Sequence, residues 1–155
     1  MVDTANARAS ARSAARLGAV QALYQMDIAG SDLADVLTEF GSGRLGEAFE
    51  DGECGDADFD FLKALVKGVL EQQREVDPLI NERLATGWKL SRLDATLRAI
   101  LRAGAYELKN RRDVPARASI SEYIDVAKAF FDGDEPKVVN AVLDKLAHEF
   151  EREGI

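Results

Sequence analysis

"WKLSRLDATLRAILRAGAYELKNRRDVP", residues 88–115, sets Leu93, Leu97, Ile100, Leu101, Ala105 and Leu108 mostly at three- and four-residue steps. That spacing places their side chains along one side of an α-helix. The opposite side carries Arg98, Arg102, Tyr106 and Lys109 or Asn110, and Arg111, Arg112 and Arg117 extend the charge past "DVP", where the helix is expected to end. A helix patterned in this way buries its apolar stripe against other elements. Two readings of the cationic side are open at this point. It is either a solvated face whose last cations complement the helix dipole, or a surface that holds phosphates.

Working outward, the same periodicity recurs and no stretch alternates with period two, so the expected fold class is all-α. A first helix is predicted over about residues 5–29, with Leu17, Val20, Leu23, Tyr24 and Ile28 on its stripe and Gly30 as its stop. Ser31 and Asp32 are placed to cap a short second helix that runs through about Phe40. "GSGRLGEAFEDGECGDAD", residues 41–58, has five glycines and several acids and predicts a mobile loop. A third helix carries Leu62, Leu65, Val66, Val69 and Leu70. Asp77 and Pro78 read as the N-cap and first-turn proline of a fourth, ending near Gly87. The quoted stretch is the fifth. The sixth carries Ile120, Tyr123, Ile124, Ala127 and Phe130, and the seventh Val139, Val142, Leu143, Leu146 and Phe150. Gly18, Gly68 and Gly104 lie inside predicted helices, where each costs about 1 kcal/mol relative to alanine, and so mark close helix crossings.

The totals exclude several classes. With 155 residues, 46% of them hydrophobic and 31% charged, the chain is expected to form one ordered domain with a sizeable core. Cys54 is the only cysteine and His148 the only histidine, so an intramolecular disulfide and a Cys/His zinc site are excluded. That usage fits a reducing cytosol, and a cytoplasmic location is expected. The arginine-bearing start compares with a transit peptide, but its pattern runs on into a core helix, and it lacks the apolar run of a secretory signal. Asp56, Asp58 and Asp60 alternate as a calcium loop would begin, yet Phe61 stands where the turn needs glycine and no glutamate falls at the twelfth position. No nucleophile elbow, Walker loop, dinucleotide fingerprint or HExxH occurs. The chain is therefore expected not to be an enzyme and to use no cofactor or metal.

Charge is unevenly distributed. The formal net charge is −8, yet residues 88–117 hold eight cations and three anions, net +5. Residues 31–87 are net −9 and residues 118–155 net −5. Arg8, Arg12 and Arg16 recur every four residues and share a slowly drifting side of the first helix. Arginine with an interleaved aromatic is also the composition that contacts phosphates and stacks on unpaired bases.

Three stretches together resemble the NusB-type transcription antitermination factors. "ARSAARLGAVQALYQMD", residues 11–27, is similar to their arginine-led first helix with its "AvQaLYq" core. Residues 88–115 are similar to their "W…RL…iLR.a.yEL…dvP" segment. "SISEYIDVAKAFFDGDEPKVVNAVLDKLA", residues 119–147, is similar to their closing "aInEaveLaK.f…k.fvNgvLdkia". The resemblance implies a compact seven-helix domain of two helical subdomains, placed here at about 5–87 and 88–152. It implies pairing with NusE, a small-subunit ribosomal protein, and binding of the single-stranded boxA element of nascent RNA. That assembly helps RNA polymerase read through terminators, notably in ribosomal RNA operons. Some members of the family self-associate, so a homodimer is also among the implied states.

Position by position, the resemblance assigns RNA binding to Arg8, Arg12 and Arg16, to Arg102 of "iLR", and to Lys137 and Asn140 of "k.fvN". Asp134 matches an acidic position that modulates binding, and Tyr24 one near both partner surfaces. Tyr24 and Tyr106 also fit core aromatics with a polar tip. The chain departs from the pattern at Ser13 and Ala14, which interrupt the usual run of arginines, at Val138, which replaces an aromatic, and at Ala141, which replaces a glycine. The loss of that stacking ring implies weak RNA binding without the partner. Two rival functions remain: a helical module that binds only protein, and an accessory domain of an RNA methyltransferase. The second is disfavoured by the absence of a nucleotide-binding glycine motif.

Overall fold

The break expected at Asp77 and Pro78 is absent. In the computed structural model, which describes residues 4–40 and 56–153, one helix runs from Asp56 to Arg83 with Pro78 inside it. The elements are α1 (Thr4–Ala29), α2 (Leu33–Glu39), α3 (Asp56–Arg83), a 3-10 turn (Leu90–Arg92), α4 (Ala95–Asn110), α5 (Ala116–Phe130) and α6 (Glu135–Glu149). The described residues are thus all-α, as expected, with six α-helices where seven were expected, because the third and fourth are one.

An interior proline costs about 3 kcal/mol by removing a backbone donor and crowding the preceding turn. Here the turn is held from both sides. Val76 and Ile80 are buried, and Asp77 is bound by Arg102. Arg74, whose carbonyl loses its donor, and Pro78 itself are both exposed, so water can take that carbonyl. The helix ends at Arg83 rather than near Gly87, and Gly87 instead serves a turn with φ +91, a conformation glycine adopts without steric cost. Of the expected loop at 41–58, residues 41–55 lie outside the described residues and 56–58 begin α3.

The chain divides into two compact units, Met1–Lys67 and Gly68–Ile155. In the first, α1 packs on α2 and buries Ala15, Ala19, Val20 and Leu23, with Val36, Phe40, Phe61, Leu62 and Leu65 completing the core. Gly30 ends α1 with φ +70. Asp32 then caps α2, its Oδ1 accepting the Asp35 N–H at 2.8 Å.

In the second unit α4, α5 and α6 each pack against the other two. Leu97, Ile100, Leu101 and Leu108 meet Tyr123, Val139, Val142, Leu143 and Leu146, all buried. Gly104 allows this approach, since a Cβ there would lie 2.8 Å from Leu143 Cδ1. Gly68 does the same under Tyr106, whose Cζ would be only 2.0 Å from an added Cβ. Both glycines therefore mark close contacts, as their position inside helices predicted.

Two polar devices close the unit. The Glu107 carboxylate is fully buried and accepts hydrogen bonds from Ser119 Oγ at 2.5 Å and Tyr123 Oη at 2.9 Å. Arg152, also buried, donates to the carbonyls of Leu108 at 2.7 Å and Val114 at 2.5 Å, while Arg112 donates to the Phe150 carbonyl. Burial lowers the pKa of Arg152, and the nearby charge of Arg112 lowers it further. The guanidinium remains charged throughout the physiological range.

Candidate nucleic-acid interface

The residues expected to hold RNA fall into both units, and the structure gives them unequal roles. In the first unit Arg8 lies on α1, with its side chain outside the described residues. Arg12 and Arg16 both place their guanidinium groups near one ring, 4.8 Å and 5.1 Å from the centroid of Phe61. This is within cation–π range. Arg12 is half-buried, and Arg16 is only 3% exposed. Four residues advance an α-helix by about 40° beyond a full turn, so Arg16 is turned further towards the core than Arg12. Arg16, expected to share a side of the helix with Arg8 and Arg12, is a packed residue. Tyr24, in contrast, is on the surface at 42% exposure, beside the still more exposed Ile28. Gln25 joins α1 to α2 through Glu39 at 3.0 Å.

In the second unit the cationic side of α4 does not face open solvent. Arg102 donates from Nε and Nη2 to the two carboxylate oxygens of Asp77, each at 2.9 Å, with side-chain exposures of 14% and 27%. Tyr106 packs over Gly68 of α3. Lys109 donates to Gln72 at 3.1 Å and to Glu75 at 2.7 Å, and Asn110 bonds Gln72. Arg98 turns back to the 3-10 turn, and its Nη1 donates to the carbonyls of Leu90, Ser91 and Leu93 at 3.4, 3.3 and 3.0 Å. The arginine, aromatic and lysine series is therefore a helix-packing side matched by acids and amides of α3. Arg111 forms a bidentate pair with Asp113 at 3.0 and 3.1 Å, and that hydrogen bond raises its pKa. Arg117 is exposed.

This pairing changes what Arg102 substitutions report. Arg102→Ala is expected to cost about 1.5–3 kcal/mol of stability, the usual contribution of hydrogen bonds to charged groups, besides any effect on RNA. Urea unfolding of Arg102→Ala, Asp77→Ala and the double variant checks this. Losses that simply add would mean the pair contributes nothing.

The residues most open to a ligand lie on α6. Asp134, Lys137 and Asn140 follow at three-residue steps and are all exposed, so they form a short strip at the start of the helix. Lys137 Nζ stands 3.9 Å from Asp134 Oδ1, with the two side chains 86% and 85% exposed. Val138 is half-buried and offers no ring.

Sequence reasoning missed a cleft of about 370 Å³ beside Arg102, lined also by Asp77, Pro78, Asn81, Lys89, Leu90 and Ser91. Lys89 and Ser91 flank the first residue of the 3-10 turn, and the "WKLSR" that builds it gave only the cation density as a signal. Among the described residues no cluster of His, Cys, Asp or Glu could hold a metal ion, and no helix is long and apolar enough to cross a membrane.

The NusB family model matches residues 13–148. A transcription antitermination protein NusB of Bartonella henselae is 54% identical over 139 residues, covering 90% of this chain and 88% of the relative. That of Mesorhizobium japonicum is 51% identical over 146 residues, 94% of each chain. Among solved structures, T. maritima NusB superposes with a TM-score of 0.74 at 28% identity, over 89% of this chain and 91% of that one. A NusB solved with NusE and dsRNA superposes at 0.73 over 90% of this chain and 98% of that one; at 23% identity this likeness establishes the fold. With the family model spanning residues 13–148 and more than half of the aligned residues identical to the Bartonella relative, the chain belongs to the NusB family.

Proposed function

We propose that this protein is a transcription antitermination factor that pairs with a NusE-type ribosomal protein and holds boxA-like single-stranded RNA in nascent transcripts, notably ribosomal RNA. The observation that carries the reading is the near full-length identity to proteins named for antitermination in Bartonella and Mesorhizobium. The alignment takes up most of those relatives' own length, which favours the factor over an accessory domain of a larger methyltransferase. In this reading the protein is not an enzyme and acts in the bacterial cytoplasm, reaching RNA polymerase through its partner and the RNA.

Lys137 and Asn140 are the phosphate- and base-facing groups best placed for contact, with Asp134 tempering the charge there. In the first unit Arg12 is a further candidate for RNA contact, and Arg16 supports it through the shared Phe61 ring. The acidic balance of residues 31–87 suits a basic protein partner, and Tyr24 is exposed on the first unit.

Because Val138 cannot stack on a base, RNA binding by the isolated chain is expected to be weak and binding by the heterodimer strong. Titration of labelled boxA-like RNA with and without NusE, at several salt concentrations, tests this. Equal affinity in both arms would show that the partner does not complete the site. No binding in either arm would leave the module that binds only protein.

A further inference from the structure

We propose that the cleft between the second half of α3, the 3-10 turn and α4 is a subsite for one unpaired nucleotide of the bound RNA. The inference rests on the RNA-binding reading and extends it to residues outside the positions assigned above. Its volume of about 370 Å³ falls within the roughly 300–1,000 Å³ of small-molecule sites. Its lining has the composition such a ligand needs. Pro78 and Leu90 supply apolar wall for a base. Asn81 and Ser91 supply an amide and a hydroxyl for its polar edge, and Lys89 supplies a cation for its phosphate.

The mouth is held in shape by side-chain hydrogen bonds. Asn81 Oδ1 accepts the Leu90 N–H at 3.0 Å, which commits its oxygen to the turn and leaves the amide NH2 as the end that can donate to a ligand. Arg98 grips three carbonyls of the same turn. The bidentate pair of Arg102 with Asp77 joins α4 to α3 at the cleft. A site fixed before binding loses less conformational entropy on binding.

The charges select the ligand class. Lys89 is exposed, and its ammonium has no hydrogen-bond or ion-pair partner among the described residues. Arg92 is exposed two residues past Leu90. Asp77, the one acid in the lining, is already bound to Arg102. An anionic ligand is thereby favoured over a basic protein. Trp88, adjacent to Lys89 and 44% exposed, adds an aromatic surface of the kind on which a neighbouring base stacks.

Because Trp88 is the only tryptophan of the chain, its fluorescence reports on this corner. The test uses the full chain, alone and with NusE, as wild type, Lys89→Ala and Ser91→Phe, the last to fill the cleft. Each is titrated with boxA-like RNA and with a nucleoside monophosphate, and melting by circular dichroism checks the fold. Lys89→Ala is expected to bind RNA about threefold to tenfold more weakly, with a salt slope flatter by about 0.7 for the lost phosphate contact. Ser91→Phe is expected to lose at least as much with the slope retained. RNA should alter wild-type Trp88 emission.

Variants that melt normally and bind RNA as the wild type does would overturn the subsite while leaving the RNA reading intact. If the wild type bound no RNA, that reading would fail. The monophosphate arm would then decide: a saturable Trp88 change lost in Ser91→Phe would retain a nucleotide site, and no change would overturn it. A Trp88 response to NusE but not to RNA would make the cleft a protein contact and overturn the proposal.

Discussion

Glu107→Ala is expected to lower the free energy of unfolding by about 3–5 kcal/mol, a large loss of the kind that follows when buried polar groups are left unpaired and a void is opened. Two effects add. Ser119 and Tyr123, both fully buried, lose the acceptor to which their hydroxyls donate, and each unsatisfied buried hydroxyl costs about 1–3 kcal/mol. The shortened side chain also leaves a void between α4 and α5 that the packed core only partly closes. Glu107→Gln keeps the size and one acceptor oxygen and is expected to cost clearly less. Urea unfolding followed by circular dichroism measures both. An alanine variant within about 1 kcal/mol of the wild type would show that the carboxylate is not the hub of this core. Against a domain stability of about 5–15 kcal/mol, the expected loss brings the protein close to unfolding.

Gly68→Val is expected to cost about 3 kcal/mol, at the upper end for overpacking. A Cβ at this position would lie 2.0 Å from Cζ and 2.3 Å from Cε2 of Tyr106, so the ring must leave its place over α3. The gain in helix propensity on replacing glycine is under about 1 kcal/mol and does not offset the clash. Combining Gly68→Val with Tyr106→Leu should recover part of the loss. If the double variant were as unstable as the two single losses added together, the glycine and the ring would be energetically independent, and the close crossing would not explain the glycine.

Helices were legible wherever one signal had one meaning. The stripe of Leu97, Ile100, Leu101 and Leu108 is buried as its spacing required, and Gly30 with Asp32 ends one helix and caps the next. Pro78 was misread because local rules cannot separate a first-turn proline from an interior one. What holds α3 together there is burial of Val76 and Ile80 and a bond to Arg102, 25 residues away. The cationic side of α4 was misread for a related reason. A row of charges looks solvated until its counter-charges are known, and Glu75 and Asp77 come from another helix. Arg16 was grouped with Arg12 by its four-residue spacing and by the resemblance, whereas an arginine can be buried when its guanidinium lies over an aromatic ring. The cleft around Lys89 was not legible at all, since it depends on how Asn81 and Arg98 hold a turn eight residues or so distant in sequence.

On the RNA-binding reading, the ion pairs of the second unit make phosphate binding an exchange of one anion for another. Arg102, Lys109, Arg111 and Lys137 each already face a carboxylate, so a phosphate reaching them competes with an acid tethered at high local concentration instead of displacing a loosely held chloride. One phosphate gains little from such a trade. A ligand that offers several phosphates at the correct spacing, plus bases for the uncharged contacts, gains enough to complete it. Within a Debye length of about 8–10 Å, meanwhile, the net charge of −8 adds a repulsion that acts on polyanions of every sequence. On that reading, retention would depend on the strand's fit at contact and not on bulk charge.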